Sequence, residues 1–350
     1  MNKQIAVLSG DGVGPEVVEQ AIKVLKKVGT KFHHEFVFKN ALIGSAAIDK
    51  TGNPLPDKTL KLCKSSDAIL FGAIGDPKYD NDPSAKVRPE QGLLKLRKSL
   101  GLYANVRPIR VFEKLKAKSP LKEEILAGVD FVVIRELIGG IYFGERGRRD
   151  NGESAFDTST YTKDEIIRVS KFAFDLAKTR RKHITLVDKA NVLETSRLWR
   201  ETVQQLAKQY SNVTLDFMFV DNAAMQIIKK PSSFDVILTE NMFGDILTDE
   251  ASVITGSIGM LPSASIGEKT SLYEPIHGSY PKAAGKNTAN PIGTILSAAM
   301  MLEYSFNLGQ EADAIKNAVE RAINLGFGTK DISENPISTS EMGDKIALLI

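Results

Sequence analysis

Short apolar runs alternate with stretches of helical spacing along most of this chain. Gln4 to Leu8, Asp67 to Gly75, Phe131 to Ile134, His183 to Val187, Val213 to Val220 and Phe234 to Leu238 are near-continuous in apolar residues. Such runs suit strands covered on both faces of a largely parallel sheet. Phe32 to Phe38 alternates like a strand. Between the runs lie helical patterns. One follows Pro15, with Val17, Val18, Ala21, Ile22 and Leu25 on one face. Others span Pro89 to Lys98, Asp164 to Thr179, Val192 to Tyr210, Pro291 to Tyr304 and Gln310 to Asn324. Ile141 to Phe156 reads as a hairpin or arm with a charged tip, and 272–279 and 285–291 as loops flanking a turn. Strands alternating with helices define an α/β fold.

Polar groups collect where the apolar runs end. After the first comes Ser9-Gly-Asp-Gly-Val-Gly-Pro-Glu16. Its G-x-G-x-G spacing lacks the third glycine of the dinucleotide fingerprint, so it secures a tight turn and no Rossmann site. Arg107 is read as closing a strand, and Arg135, Lys189 and Asp221 each follow an apolar run. Thr239 to Ser252 then places Phe243, Ile246 and Leu247 on one side of a helix and Asp245 and Asp249 on another. Carboxylates four apart share a helix face about 6 Å apart along the axis. Both can reach one hard cation such as Mg²⁺; a solvated acidic face is the ordinary alternative. On the helix from Pro89, Glu90, Leu93, Leu94 and Arg97 share a side. Arginine forks grip carboxylates bidentately, so Arg97, Arg107 and Arg135 suit a ligand carrying two of them. Taken singly each residue has a bland role, as a surface charge, salt bridge or cap. Four polar features following apolar runs in one stretch of chain are the usual construction of an α/β active site. The polar loop 76–89, with three prolines, borders a ligand cleft or is mobile. His277 on its own reads as a satisfied loop histidine.

Composition changes this picture little. At 350 residues two lobes are expected. A formal charge of +3 spread along the chain argues against nucleic acid. The longest apolar stretch, Ile292 to Met301, is too short to cross a bilayer, and the N-terminus lacks a signal peptide's apolar segment. One cysteine, Cys63, excludes an internal disulfide and fits a reducing cytoplasm.

The motifs GDGVGPEV (from Gly10), EQGLLKLRK, LYANVRP, RELIGGIYFGE, VDKANVLE, TENMFGDILTDEAS, EPIHGS and ANPIG run almost the full length. In them the chain resembles the 3-isopropylmalate dehydrogenases, within the family of decarboxylating dehydrogenases that includes the isocitrate and tartrate enzymes. The resemblance implies an α/β, two-domain, non-Rossmann fold with a discontinuous first domain. Residues 1–102 plus 256–350 would form that cofactor-binding domain, and 103–255 a second domain with an arm and a dimer interface. It further implies NAD held by Glu90 with its preceding loop and by His277, Gly278, Ser279, Lys282, Ala289 and Asn290. Arg97, Arg107 and Arg135 would bind the substrate carboxylates. Asp245, Asp249 and Asp221 of the partner subunit would hold Mg²⁺ or Mn²⁺. Lys189, contributed like Asp221 to the partner's site, would accept the hydroxyl proton, and Tyr142 would assist protonation after CO₂ leaves. The implied assembly is a homodimer with shared active sites, working in leucine biosynthesis.

Within that family the group at C3 of the substrate decides specificity. Leu93 and Leu94 offer an apolar wall suited to isopropyl, whereas a third carboxylate buried against leucine is heavily penalised. Methylmalate-type substrates differ by a few methyl groups, worth only about 1–3 kcal/mol, and remain the alternative. Lys282 stands where many NAD-using relatives carry an aspartate on the adenosine ribose, which weakens the expected discrimination against NADP. A Mg²⁺-dependent phosphoryl-transfer protein is a reading from another class, but G-x-x-x-x-G-K-[ST] is missing. A catalytically silent paralogue in a hetero-oligomer is a third.

Overall fold

The computed structural model describes residues 1–80 and 85–350. In chain order its strands are β1 (Asn2–Gly10), β2 (Glu35–Asn40), β3 (Ala68–Ala73), β4 (Ala104–Arg110), β5 (Asp130–Glu136), β6 (Arg146–Arg149), β7 (Ser154–Asp157), β8 (His183–Asp188), β9 (Thr214–Phe219), β10 (Val236–Thr239), β11 (Pro262–Ile266) and β12 (Leu272–Pro275). The helices are α1 (Gly14–Phe32), α2 (Ser45–Thr51), α3 (Asp57–Ser65), α4 (Pro77–Asp80), α5 (Pro89–Leu100), α6 (Glu123–Leu126), α7 (Lys163–Lys178), α8 (Glu194–Ala207), α9 (Val220–Lys229), α10 (Asn241–Ser252), α11 (Ile292–Tyr304), α12 (Gly309–Asn324) and α13 (Thr339–Leu349).

These elements divide into two compact units. Met1–Leu102, Phe112–Lys118 and Gly256–Ile350 form the first, and Tyr103–Val111 with Ser119–Thr255 the second. The short return Phe112–Lys118, expected in the second domain, thus belongs to the first unit.

In the first unit the strand order is β2-β1-β3-β12-β11, with β1, β2, β3 and β12 parallel and β11 antiparallel to β12. That pair departs from the all-parallel dinucleotide fold. Ile5, Ala6, Val7, Leu8 and all of β3 are buried, as continuous apolar runs require. Helix α1 packs against α11, α12 and α13. At Gly10 and Gly12 the backbone has positive φ, the conformation that the glycine turn after β1 supplies cheaply.

In the second unit the order is β4-β5-β10-β8-β9, parallel except for β4 against β5. Register explains why its polar residues assemble. Thr239 pairs with both Arg135 and Val187, and Val187 with Met218. Arg135, the start of α10, Lys189 and Asp221 therefore all leave the sheet at one end. The expected arm is the β6–β7 hairpin, with Asp150–Gly152 at its tip.

Several expectations need correction. Phe32 to Phe38 does not form one strand: α1 continues to Phe32, and β2 begins only at Glu35. The left-handed residue His33 ends the helix between them. The helix expected over Val192 to Tyr210 is shorter, at Glu194–Ala207. Arg107 lies in the middle of β4 opposite Val133 and does not close it. Residues 272–275 are a strand, because β12 finds neighbours on both sides. Part of the loop 76–89 is helical (α4), and residues 81–84 lie outside the described residues. Among the described residues no helix is long and apolar enough to cross a membrane.

Candidate active site

Helix α10 is built around arginines. Its N-cap, Glu240, accepts the Phe243 N–H at 2.7 Å, and burial pushes that carboxyl above its usual range. Asn241, Gly244 and Asp245 share one face, since they are three and four apart. All three touch Arg135. The Asn241 Oδ1 accepts from Nε at 3.0 Å and Nη2 at 2.7 Å, and Asp245 Oδ1 accepts from Nη1. At Gly244 an added Cβ would stand 2.6 Å from Arg135 Cγ and 2.7 Å from its Cβ, so only glycine lets the arginine stem lie there. One turn further, Thr248 Oγ1 accepts from Arg107 Nη1 at 2.6 Å, while Asn105 accepts from its Nε at 2.7 Å. Arg107 also pairs with Asp249 at 3.6 Å and Asp245 at 3.9 Å.

Tyr142 reaches the same carboxylate, donating to Asp245 Oδ2 at 2.8 Å, and its ring lies under the Arg135 guanidinium at 5.7 Å. Burial, with the Asp245 charge beside it, pushes its phenol up to about 12. The turn that carries Tyr142 is fastened from below. Buried Glu136 accepts N–H groups of Ile138 and Gly139 at 3.0 and 2.8 Å, and burial pushes its carboxyl up to about 7.

Lys189 and Asp221 form a second cluster. The Lys189 ammonium donates to Asp221 Oδ1, and this bond holds the exposed carboxylate below its usual range. The Lys189 backbone N–H donates to buried Ser196 at 3.0 Å, which fixes the turn after β8. Among the described residues no three His, Cys, Asp or Glu side chains stand close enough to hold a metal ion. One chain thus offers two carboxylates on α10, oxygen donors of the kind a hard divalent cation takes.

The remaining site residues lie in the first unit. Arg97 on α5 donates through Nη2 to Glu274 of β12 at 3.0 Å, both side chains nearly buried, and its buried Nε has no hydrogen-bond partner. An orphaned guanidinium N–H is a group that a carboxylate ligand satisfies. On the same helix Leu93 is buried, while Leu94 is 37% exposed. Glu90 and Ser279 flank Gly75, whose added Cβ would stand 3.0 Å from Glu90 Oε1 and 3.5 Å from Ser279 Oγ. A cavity of about 660 Å³ is lined by Val13, His277, Gly278, Tyr280, Ala289 and Asn290 among others. That volume lies within the range of small-molecule sites. His277 bonds its neighbour's carbonyl through Nδ1 at 2.9 Å, and its buried Nε2 is unpartnered. Burial lowers its pKa, so the ring is neutral near pH 7. His277 is therefore not fully satisfied by its loop, contrary to its reading in isolation. Lys282 is exposed and does not line the cavity. A nucleotide moiety fits this cavity's size and its orphaned ring nitrogen.

Sequence reasoning missed Asn241, Gly244, Glu274 and Asp11. The buried Asp11 carboxylate accepts from Ser45, Ala46 and Gly75 N–H groups at 2.9–3.0 Å, tying three loops together. For Glu274 a signal existed: a lone acid inside Leu-Tyr-Glu-Pro-Ile demands a cation once the stretch is buried.

Comparison with known proteins agrees with this layout. Residues 4–346 match the isocitrate/isopropylmalate dehydrogenase family model. The chain belongs to that family. It is 56% identical to the 3-isopropylmalate dehydrogenase of Aquifex aeolicus, covering 98% of this chain and 96% of the relative. Identity is also 56% with that of Geobacillus kaustophilus, over 99% of this chain and 95% of the relative. Among solved structures, isocitrate dehydrogenase from Methylococcus capsulatus superposes with a TM-score of 0.89 at 33% identity, covering 99% of both chains. A β-decarboxylating dehydrogenase from Thermococcus kodakarensis gives 0.82 at 35% identity, over 99% of this chain and 96% of the other.

Proposed function

We propose that this chain catalyses the oxidative decarboxylation of (2R,3S)-3-isopropylmalate to 4-methyl-2-oxopentanoate and CO₂, reducing NAD⁺, in leucine biosynthesis. The carrying observation is identity of 56% across nearly the whole chain to 3-isopropylmalate dehydrogenases, against 33% to an isocitrate enzyme. The site chemistry supports it. Arg107 and Arg135, held in fixed orientations by Thr248, Asn105 and Asn241, would grip substrate carboxylate, and Arg97 has an unsatisfied N–H for the same purpose. Leu93 and Leu94 suit the isopropyl group. Lys189 of the partner subunit would take the proton from the C2 hydroxyl, and bound NAD⁺ would supply the hydride acceptor. After the C–C bond breaks, Tyr142 helps return a proton to the carbon that carried CO₂. Asp245 and Asp249, with Asp221 of the partner subunit, would hold Mg²⁺ or Mn²⁺. Such an ion supplies Lewis-acid stabilisation of negative charge developing on the substrate oxygen. Glu90, Ser279, Lys282 and the cavity residues His277, Gly278, Ala289 and Asn290 would hold NAD.

The working form is a homodimer. Met225 on α9 and Ile246 on α10, helices that pack together, are exposed, as is Val253 just beyond α10. Apolar side chains left outside in this way suit a subunit interface. A cytoplasmic location accords with a single buried cysteine, its thiol pushed up to about 12 by burial. The test is NAD(P)H production from isopropylmalate, isocitrate, malate and methylmalate with each cofactor. Isopropylmalate with NAD⁺ should give the highest kcat/KM, and a higher value with isocitrate would refute the assignment.

A further inference from the structure

The edge of Arg135 formed by Nε and Nη2 is the one a carboxylate usually takes in bidentate pairing. Here a neutral amide takes it. Asn241 is fully buried, and its surroundings fix which way the amide points. Its oxygen accepts both guanidinium N–H groups, and its Nδ2 donates to the Gly139 carbonyl at 3.0 Å. A flipped amide would set donors against donors and oxygen against oxygen. The residue itself is pinned, since its backbone N–H donates to Tyr161 at 3.0 Å, and Tyr161 donates to Glu240 at 3.1 Å. Arg135 is left 3% exposed, its stem filling the space over Gly244 and its Nη1 on Asp245.

From this geometry we infer that Asn241 is a positioning residue for substrate, orienting Arg135 while leaving its charge undiminished on that edge. Asp245 already places one negative charge on the guanidinium. A second carboxylate at position 241 would outweigh the arginine in a place that must attract a dianion. An amide supplies the same two-point hold at no electrostatic cost. The inference rests on the proposed reading of Arg135 as a carboxylate-binding group.

The experiment compares wild type and Asn241→Asp as full-length homodimers. It measures KM for isopropylmalate and for NAD⁺ separately, together with Tm. The isosteric acid should raise KM for isopropylmalate at least tenfold while leaving KM for NAD⁺ within about twofold; Tm falls, because the new oxygen faces the Gly139 carbonyl. A residue that only supports the fold would move both KM values together. Asn241→Ser keeps a neutral acceptor too short to span both N–H groups, and it serves if the acid variant does not fold. Its KM for isopropylmalate should rise severalfold with KM for NAD⁺ unchanged. An isopropylmalate KM equal to wild type in the folded variant overturns the inference alone. Wild-type protein that turns over no isopropylmalate sinks the functional reading, and the inference with it.

Discussion

Lys282 lies on an exposed turn and is not among the residues that line the cavity. If the adenosine ribose lies near this turn, Lys282→Asp should raise the ratio of kcat/KM for NAD⁺ to that for NADP⁺ by tenfold or more. A carboxylate accepts ribose hydroxyls and repels a 2′-phosphate, and initial rates with both cofactors check it. Glu136 gives a pH test. Its folded pKa of about 7 lies above an ordinary value near 4.5, so the folded state favours the protonated carboxyl. Its contribution to stability is full below about 4.5 and is lost as pH rises through 7. The unfolding free energy of wild type minus that of Glu136→Gln should therefore fall by a few kcal/mol between pH 4.5 and 7.5. Urea titrations measure it. At this scale residues with one conspicuous chemistry were marked as candidates from the sequence: Lys189, Asp245, Asp249 and the arginines. Asn241, Gly244 and Glu274 were not, because their task is to face another side chain far away in sequence. Only the sheet register reveals which one.

Helix α10 shows how an element can be legible and its purpose not. Apolar spacing identified it, and its acidic face suggested a cation. The face that meets Arg135 and Arg107 carries an amide, a glycine and a threonine, which form no recognisable pattern. Gly244→Ala should destabilise the protein by about 1–3 kcal/mol, because the new methyl overlaps a buried stem that cannot yield. It should also raise KM for isopropylmalate. Chemical denaturation with steady-state kinetics tests both, and unchanged values would mean that Arg135 has another rotamer to adopt. Elsewhere, continuous apolar runs located β1, β3, β8, β9 and β10 within a residue or two. Residues 272–275 were read as loop because glycine and small residues dominate the chain after 255, although pairing on both sides makes them a strand. Helix α13 was overlooked despite its capping box, in which Ser338 and Glu341 satisfy each other's backbone N–H groups.

Over the whole molecule, the separation of Asp221 from the α10 carboxylates bears on assembly. If Asp221 serves the partner's cation, a mixed dimer of Asp221→Asn and Asp245→Asn chains contains one intact site and one doubly altered site. Two inactive homodimers, dissociated and reassembled together, should yield mixed dimers as about half of the population, each with roughly half of wild-type turnover. No recovery in verified mixed dimers would place the whole metal site within one chain. Length alone led to two lobes, but their boundaries were legible only through family resemblance, since nothing in composition marks where the chain leaves one unit and returns. That layout also has a consequence in time. Synthesis delivers β3 early, but its neighbour β12 pairs Leu272 with Ile69 and emerges only after the second unit's last residue, Thr255. Until then the wholly apolar β3 has one edge without its strand. The nascent chain therefore passes through an interval in which the second unit is complete and the first is an open, adhesive sheet, the stage at which a chaperone has most to protect.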